Sequence, residues 1–151
     1  MKAHSMFVGT FHSFCFQITK KFSSDTSPTL IDQSDAIHML LDRYDELHPL
    51  ESDEFSLNPK TAVTDSFIPF FNRIQDELID LKNVDLAKLR SAYKDNEELY
   101  YQIKDLIRIY PIFQRWKKEQ NFIDYSDMVR SAYDLLAVSY THLRAHETNS
   151  N

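Results

Sequence analysis

Val8-Gly9-Thr10-Phe11-His12-Ser13-Phe14-Cys15 runs on into Phe16-Gln17-Ile18-Thr19-Lys20-Lys21-Phe22 and holds the one glycine of the protein. Gly9 follows a short apolar run, Met6, Phe7 and Val8. It precedes a helical pattern that puts Phe11, Phe14, Cys15, Ile18 and Phe22 on one face. The pattern predicts a strand over residues 7–9 that turns sharply into a helix, with Thr10 as its N-cap. A helix that begins this way presents unpaired backbone N–H groups and the positive end of its dipole, which suits a phosphate. Thr10 and His12 place hydrogen-bonding side chains beside it, and Phe11 or Phe14 offers a face on which a base can stack.

Composition bounds what surrounds this stretch. With 151 residues, 42% of them hydrophobic, the chain can bury one core, so a single domain is expected. One glycine and five prolines argue for long helices and against a β-rich or disordered chain. The formal charge of −6 excludes a chain that attracts nucleic acid as a whole, so any such contact must be local. The single Cys15 excludes an internal disulfide and fits a reducing, cytoplasmic compartment. No apolar run approaches the roughly 18 residues of a membrane span and no signal-peptide pattern is present, so neither a membrane nor export is indicated.

Along the chain, residues 23–28 read as a polar loop. Ile37, Leu40, Leu41, Tyr44 and Leu47 then recur at helical spacing, with Asp32 or Ser34 as the cap. Residues 42–54 carry six acids and one arginine, a solvated helix face and loop without the spacing or glycine of a calcium loop. Pro59 and Thr61 lead into a helix whose apolar stripe is Phe67, Phe70, Phe71, Ile74, Leu78 and Leu81, with Pro69 in its first turn or at a kink. Residues 85–93 form a short helix. Residues 99–116 form a long one carrying Leu99, Ile103, Leu106, Tyr110, Phe113 and Trp116, with Pro111 expected to bend it. The last helix, residues 125–137, carries Met128, Val129, Ala132, Leu135 and Leu136. Residues 138–151 break the apolar period and turn polar, as a disordered end would. They are also similar to translated sequencing-adapter DNA, so they are expected to be non-native to the fold.

Residues 8–22 resemble the Thr-Phe-His-Ser motif of UvrD/Rep/PcrA-like superfamily 1 DNA helicases, which ends a strand of the first motor subdomain and lines the path of single-stranded DNA. Two later stretches follow in the family's order. Pro28-Thr29-Leu30-Ile31-Asp32-Gln33-Ser34-Asp35 resembles the entry into its helical insertion subdomain. Asn121-Phe122-Ile123-Asp124-Tyr125-Ser126-Asp127-Met128-Val129 resembles its Leu-Asp-Phe-Asp-Asp-Leu-Ile return helix, with Ser126 where the middle Asp is usual.

The resemblance implies a mainly α fold: a helical subdomain with a short N-terminal strand, as a fragment of a P-loop α/β helicase motor domain. Residues 1–22 would end the first motor subdomain, residues 23–120 form the helical insertion subdomain and residues 121–137 the return helix, with the tail at 138–151. It implies DNA contacts at Thr10, Phe11, His12 and Ser13, with Phe11 stacking on a base or packing as the first core residue of its helix. Asp124, Tyr125 and Asp127 match the return motif, and helix capping explains Asp124 equally well. Lys20 and Lys21, and Arg115, Lys117 and Lys118, are the compact basic groups, read as solvated faces.

Such helicases use a Gly-x-x-x-x-Gly-Lys-Thr loop for ATP phosphates and an Asp-Glu-x-x-Asp motif for Mg2+. Neither occurs in these residues. ATP and Mg2+ are therefore expected in the parent protein, and neither is expected on this chain alone. The implied partners are single-stranded DNA at a duplex junction and the remaining helicase subdomains, with no membrane. The alternative is a free-standing helical interaction module without enzymatic activity. Catalytic pairs do not emerge: His12 and Cys15 are close in sequence, but Cys15 falls on the apolar face. His142 and His146 lack a third metal ligand of matching spacing.

Overall fold

The computed structural model describes the backbone of residues 28–150 together with Ser13 and Gln17, and side chains as far as residue 138. The expected strand at residues 7–9, the Thr10 cap and the apolar face from Phe11 to Phe22 lie outside the described residues. The fold is mainly α, with one two-stranded sheet among the described residues. The chain divides into two units: residues 31–120, and the segments on either side of them, residues 1–30 with 121–151.

The helical unit opens with α1, Gln33–Asp42. Asp32 caps it as expected: its carboxylate accepts from the Asp35 N–H at 2.8 Å, and Asp35 returns the contact to the Asp32 N–H at 3.1 Å. Leu40, Tyr44 and Leu47 carry the apolar side of α1 into a 3-10 turn, Tyr44–Leu47, and are buried. Helix α2, Asp53–Leu57, follows with Ser52 as its cap. Then α3 (Pro59–Ala62), a π turn (Val63–Phe67) and α4 (Ile68–Asp76) follow one another without a break. Pro69 falls in the first turn of α4, one of its two expected places. Proline has no N–H to donate and crowds the carbonyl four residues back, and the wider π turn directly before it gives that carbonyl room.

The core of this unit is aromatic. Phe67 stacks on Tyr44 with ring centroids 5.9 Å apart, meets Phe55 edge-on at 5.1 Å and lies 6.0 Å from Phe71. Phe71 in turn stacks on Phe113 at 5.2 Å. Phe67, Phe71 and Ile74 thus form the expected stripe, but Leu78 and Leu81 do not extend it. Helix α4 ends at Asp76, where the Ile79 N–H reaches the Ile74 carbonyl at 3.1 Å and the Leu78 N–H reaches the Gln75 carbonyl at 3.3 Å. These two bonds close a Schellman motif with Leu78 in the left-handed position at φ 54°. Leucine pays there what glycine would not. Leu78→Gly is expected to raise stability by about 0.5–1 kcal/mol, because relief of the left-handed strain outweighs the added unfolded-state freedom. Urea denaturation checks this, and a loss of stability would show that the Leu78 side chain contributes more than its strain costs.

Helix α5, Leu86–Ala92, is capped by Asp85, and α6, Glu97–Glu119, by Asn96. The backbone stays helical through Pro111. Tyr100, Leu106, Ile109, Phe113 and Trp116 form the buried side of α6. The six acids of residues 42–54 are exposed, as expected. Their loop is nonetheless held by α6. Asp105 accepts from the N–H groups of Glu51 and Ser52, Lys104 pairs with Glu51 at 3.1 Å, and Arg108 donates to the carbonyls of Leu47 and Pro49.

In the other unit, β1 (Thr29–Leu30) pairs in parallel with β2 (Phe122–Ile123), Thr29 opposite Phe122 and Leu30 opposite Ile123. Parallel neighbours require a long crossover, and here the crossover is the helical unit. Asn121 takes the left-handed conformation at φ 56°, which asparagine tolerates, and its carbonyl accepts from the Thr29 N–H at 2.9 Å. Helix α7 runs over Tyr125–Ser150, past the expected end at residue 137, so the backbone of the polar tail is helical as far as 150. Ile123, Met128 and Ala132 form a small core with Val129 packed against it.

Candidate nucleic-acid interface

Of the four residues expected to meet DNA, Thr10, Phe11 and His12 lie outside the described residues. Ser13 is helical and exposed, and so is Gln17. The rest of the helix expected after Thr10 lies outside the described residues.

The return-motif residues are set by a local device. The Asp124 carboxylate accepts from the Asp127 N–H at 2.8 Å, and the Asp127 carboxylate accepts from the Asp124 N–H at 3.2 Å. This is a capping box at the start of α7 with Asp at both positions. Ser126, between them, supplies neither acceptor of the box. The Tyr125 side chain is half exposed.

Basic residues are distributed differently from the sequence expectation. Lys117 is buried, 3% exposed, with its ammonium 4.8 Å from the centre of the Phe113 ring, so it does not belong to a solvated face. Arg115 pairs with Glu119 at 3.7 Å, which leaves Lys118 as the exposed cation of that group without an ion pair. A cleft of about 120 Å³ lies instead between α5 and α6, lined by Arg90, Tyr93, Lys94, Glu97, Tyr100 and Tyr101. Sequence reading missed it because its rings come from two elements. The signal was Arg90 and Lys94 at helical spacing around Tyr93, followed by the Tyr100-Tyr101 pair.

Among the described residues no group of three His, Cys, Asp or Glu could hold a metal ion, and no helix is long and apolar enough to cross a membrane. A family model described as UvrD/REP helicase N-terminal domain matches residues 1–150. No curated protein and no solved structure matches the chain.

Proposed function

The chain belongs to the UvrD/REP helicase N-terminal domain family, and from that premise we propose that it is the part of an ATP-dependent DNA helicase that meets single-stranded DNA. Residues 1–22 end the first motor subdomain, residues 23–120 are its helical insertion and residues 121–137 return the chain to the motor. The carrying observation is the family match over residues 1–150 in a chain whose helical unit leaves and returns through adjacent parallel strands. That is how an insertion joins a parent sheet. Tyr125, Tyr133, Leu136 and Val138 are exposed on α7, which favours a surface made for motor neighbours over a free-standing interaction module.

In this reading Thr10 and His12 hydrogen-bond to the phosphate backbone, Phe11 stacks on a base or anchors its helix, and Ser13 lines the edge of the path. Asp124, Tyr125 and Asp127 position the return helix. The residues present do not fit ATP or Mg2+: a chain with one glycine cannot form the Gly-x-x-x-x-Gly-Lys-Thr loop. Those groups belong to the rest of the helicase. A 3′→5′ direction and a place in repair, replication restart or recombination complete the proposal.

Fluorescence anisotropy with a labelled oligo-deoxythymidylate tests it. The chain is expected to bind, and T10A/H12A is expected to weaken binding about tenfold, the worth of one or two lost charge-assisted hydrogen bonds. No DNA-stimulated ATP hydrolysis is expected from the purified chain. Turnover by this chain alone, or failure to bind the oligonucleotide, would sink the reading.

A further inference from the structure

We propose that the cleft between α5 and α6 is a second contact for single-stranded nucleic acid, taking one phosphate against Arg90 and Lys94 and one base against Tyr93 and Tyr101. The inference rests on the DNA-contacting reading above and adds a site within the helical unit to it.

Arg90 is unlike the other arginines whose side chains are described. Arg43, Arg73, Arg108, Arg115 and Arg130 are each engaged in an ion pair or hydrogen bond. Arg90 instead lies over the Tyr100 ring, 5.4 Å from its centre, and no carboxylate pairs with it or with Lys94 among the described residues. A guanidinium set against a ring instead of a carboxylate leaves the N–H groups of its fork free to grip a phosphate with two parallel bonds. Tyr100 is buried and serves as the platform for Arg90, whereas Tyr93 and Tyr101 are half-buried where they line the cleft.

Size and charge narrow the ligand. Drug-sized ligands and cofactors occupy pockets of roughly 300–1,000 Å³. A cavity of about 150 Å³ takes one benzene ring, so about 120 Å³ in an open cleft admits part of one planar ring and cannot enclose a whole nucleotide. Such a site fits one unit of a polymer whose affinity is spread along its length. Glu97 also lines the cleft, so two cations and one carboxylate leave a single net positive charge, matched to one phosphodiester. Bases in a duplex are stacked inward and cannot reach the tyrosines, so the rings select an unpaired strand.

The test uses the full chain and an oligodeoxynucleotide carrying 5-bromodeoxyuridine. After irradiation, trypsin cuts at Arg90 and Lys94 and releases residues 91–94, with Tyr93, and residues 95–104, with Tyr100 and Tyr101. Crosslinks are expected on these peptides. R90Q/K94Q is expected to bind oligo-deoxythymidylate about tenfold more weakly and to lower the slope of log affinity against log salt by roughly 0.7, the value for one lost phosphate contact on a single strand. Tyr93→Phe should bind as the wild type and Tyr93→Leu about fivefold more weakly, with circular dichroism confirming that each variant is folded. Crosslinks confined to residues 10–17, with R90Q/K94Q binding like the wild type, would overturn the second contact and leave the proposed function standing. Absence of binding by the wild type would overturn both. Equal loss of duplex and single-strand binding in R90Q/K94Q would overturn the selection for an unpaired strand.

Discussion

Asp105→Ala is expected to destabilise the helical unit by about 3 kcal/mol. Asp105 sits on α6 at 1% exposure, and its two carboxylate oxygens accept from the Glu51 N–H at 3.1 Å and the Ser52 N–H at 2.9 Å. A hydrogen bond to a charged group is worth about 1.5–3 kcal/mol, and a buried donor left without an acceptor costs about 1–3 kcal/mol. Glu51 is exposed and its N–H can turn to water, but Ser52 is fully buried and its N–H would be orphaned. The loss therefore falls mainly on Ser52. That residue caps α2 by accepting from the Phe55 N–H at 3.2 Å, and its hydroxyl donates to Glu98. Urea denaturation measures the change, and a difference within about 0.5 kcal/mol of wild type would remove Asp105 from this role.

A second readout follows from Tyr44. Burial first, and then the negative charge of Asp105, push its phenol up to about 12. A tyrosine whose neutral form is favoured in the fold adds stability that is fully present below its unfolded value near 10 and is lost as pH rises through about 12. Asp105→Asn removes the charge while keeping the shape, so the Tyr44 phenolate is expected to form at lower pH, read as the ultraviolet difference against the matching Tyr44→Phe proteins.

Glu98 and Asp105 are seven residues apart, two turns of α6, and both hold the same loop. The burial of Glu98 works against its charge, but bonds from the Ser52 hydroxyl, the Glu54 N–H, the Gln102 amide and the Asp53 backbone together keep its carboxyl below the ordinary range. This device was not legible in the sequence. A residue's tendency to face water is read from its type, and Asp105 is buried because a backbone turn distant in sequence supplies its donors. Lys117 escaped for the same reason, its burial depending on Phe113 and on packing that periodicity does not reveal. Caps were legible because they are local: Asp32 and Asp124 each stand within three residues of the groups they satisfy. The end of α4 was not, since a Schellman motif is normally announced by glycine and here carries Leu78. Nor was the sheet, because strands of two residues are too short to show an alternation. At the candidate site, sequence alone pointed to Thr10, Phe11, His12 and Ser13, and of these the structure describes Ser13. The cleft at Arg90 needed the structure, because α5 and α6 each contribute only part of it.

Phe67→Ala is expected to have the larger effect, about 4 kcal/mol. Phe67 is fully buried in the π turn between α3 and α4, and its ring touches aromatic side chains from three other elements: Tyr44 on the 3-10 turn, Phe55 on α2 and Phe71 on α4. Truncating a buried phenylalanine costs about 3–5 kcal/mol, from lost transfer energy and the cavity left behind. Aromatic pairs add about 0.5–1.5 kcal/mol beyond their buried area. Phe67→Leu refills most of the volume without the ring geometry, so about 1.5–2 kcal/mol is expected for it. The pair of variants separates volume from stacking, and equal losses for both would mean that ring geometry dominates. Phe67 and Asp105 are also linked. Asp105 holds Ser52, Ser52 caps α2, and α2 carries Phe55 against the edge of the Phe67 ring. Once α2 is loosened by Asp105→Ala, less of the Phe55 contact remains for Phe67→Ala to remove. The double variant is therefore expected to lose about 1 kcal/mol less than the sum of the singles, a coupling of the size found between groups in one contact network. Additivity within about 0.3–0.5 kcal/mol would show that the loop clasp and the aromatic core stabilise the helical unit independently.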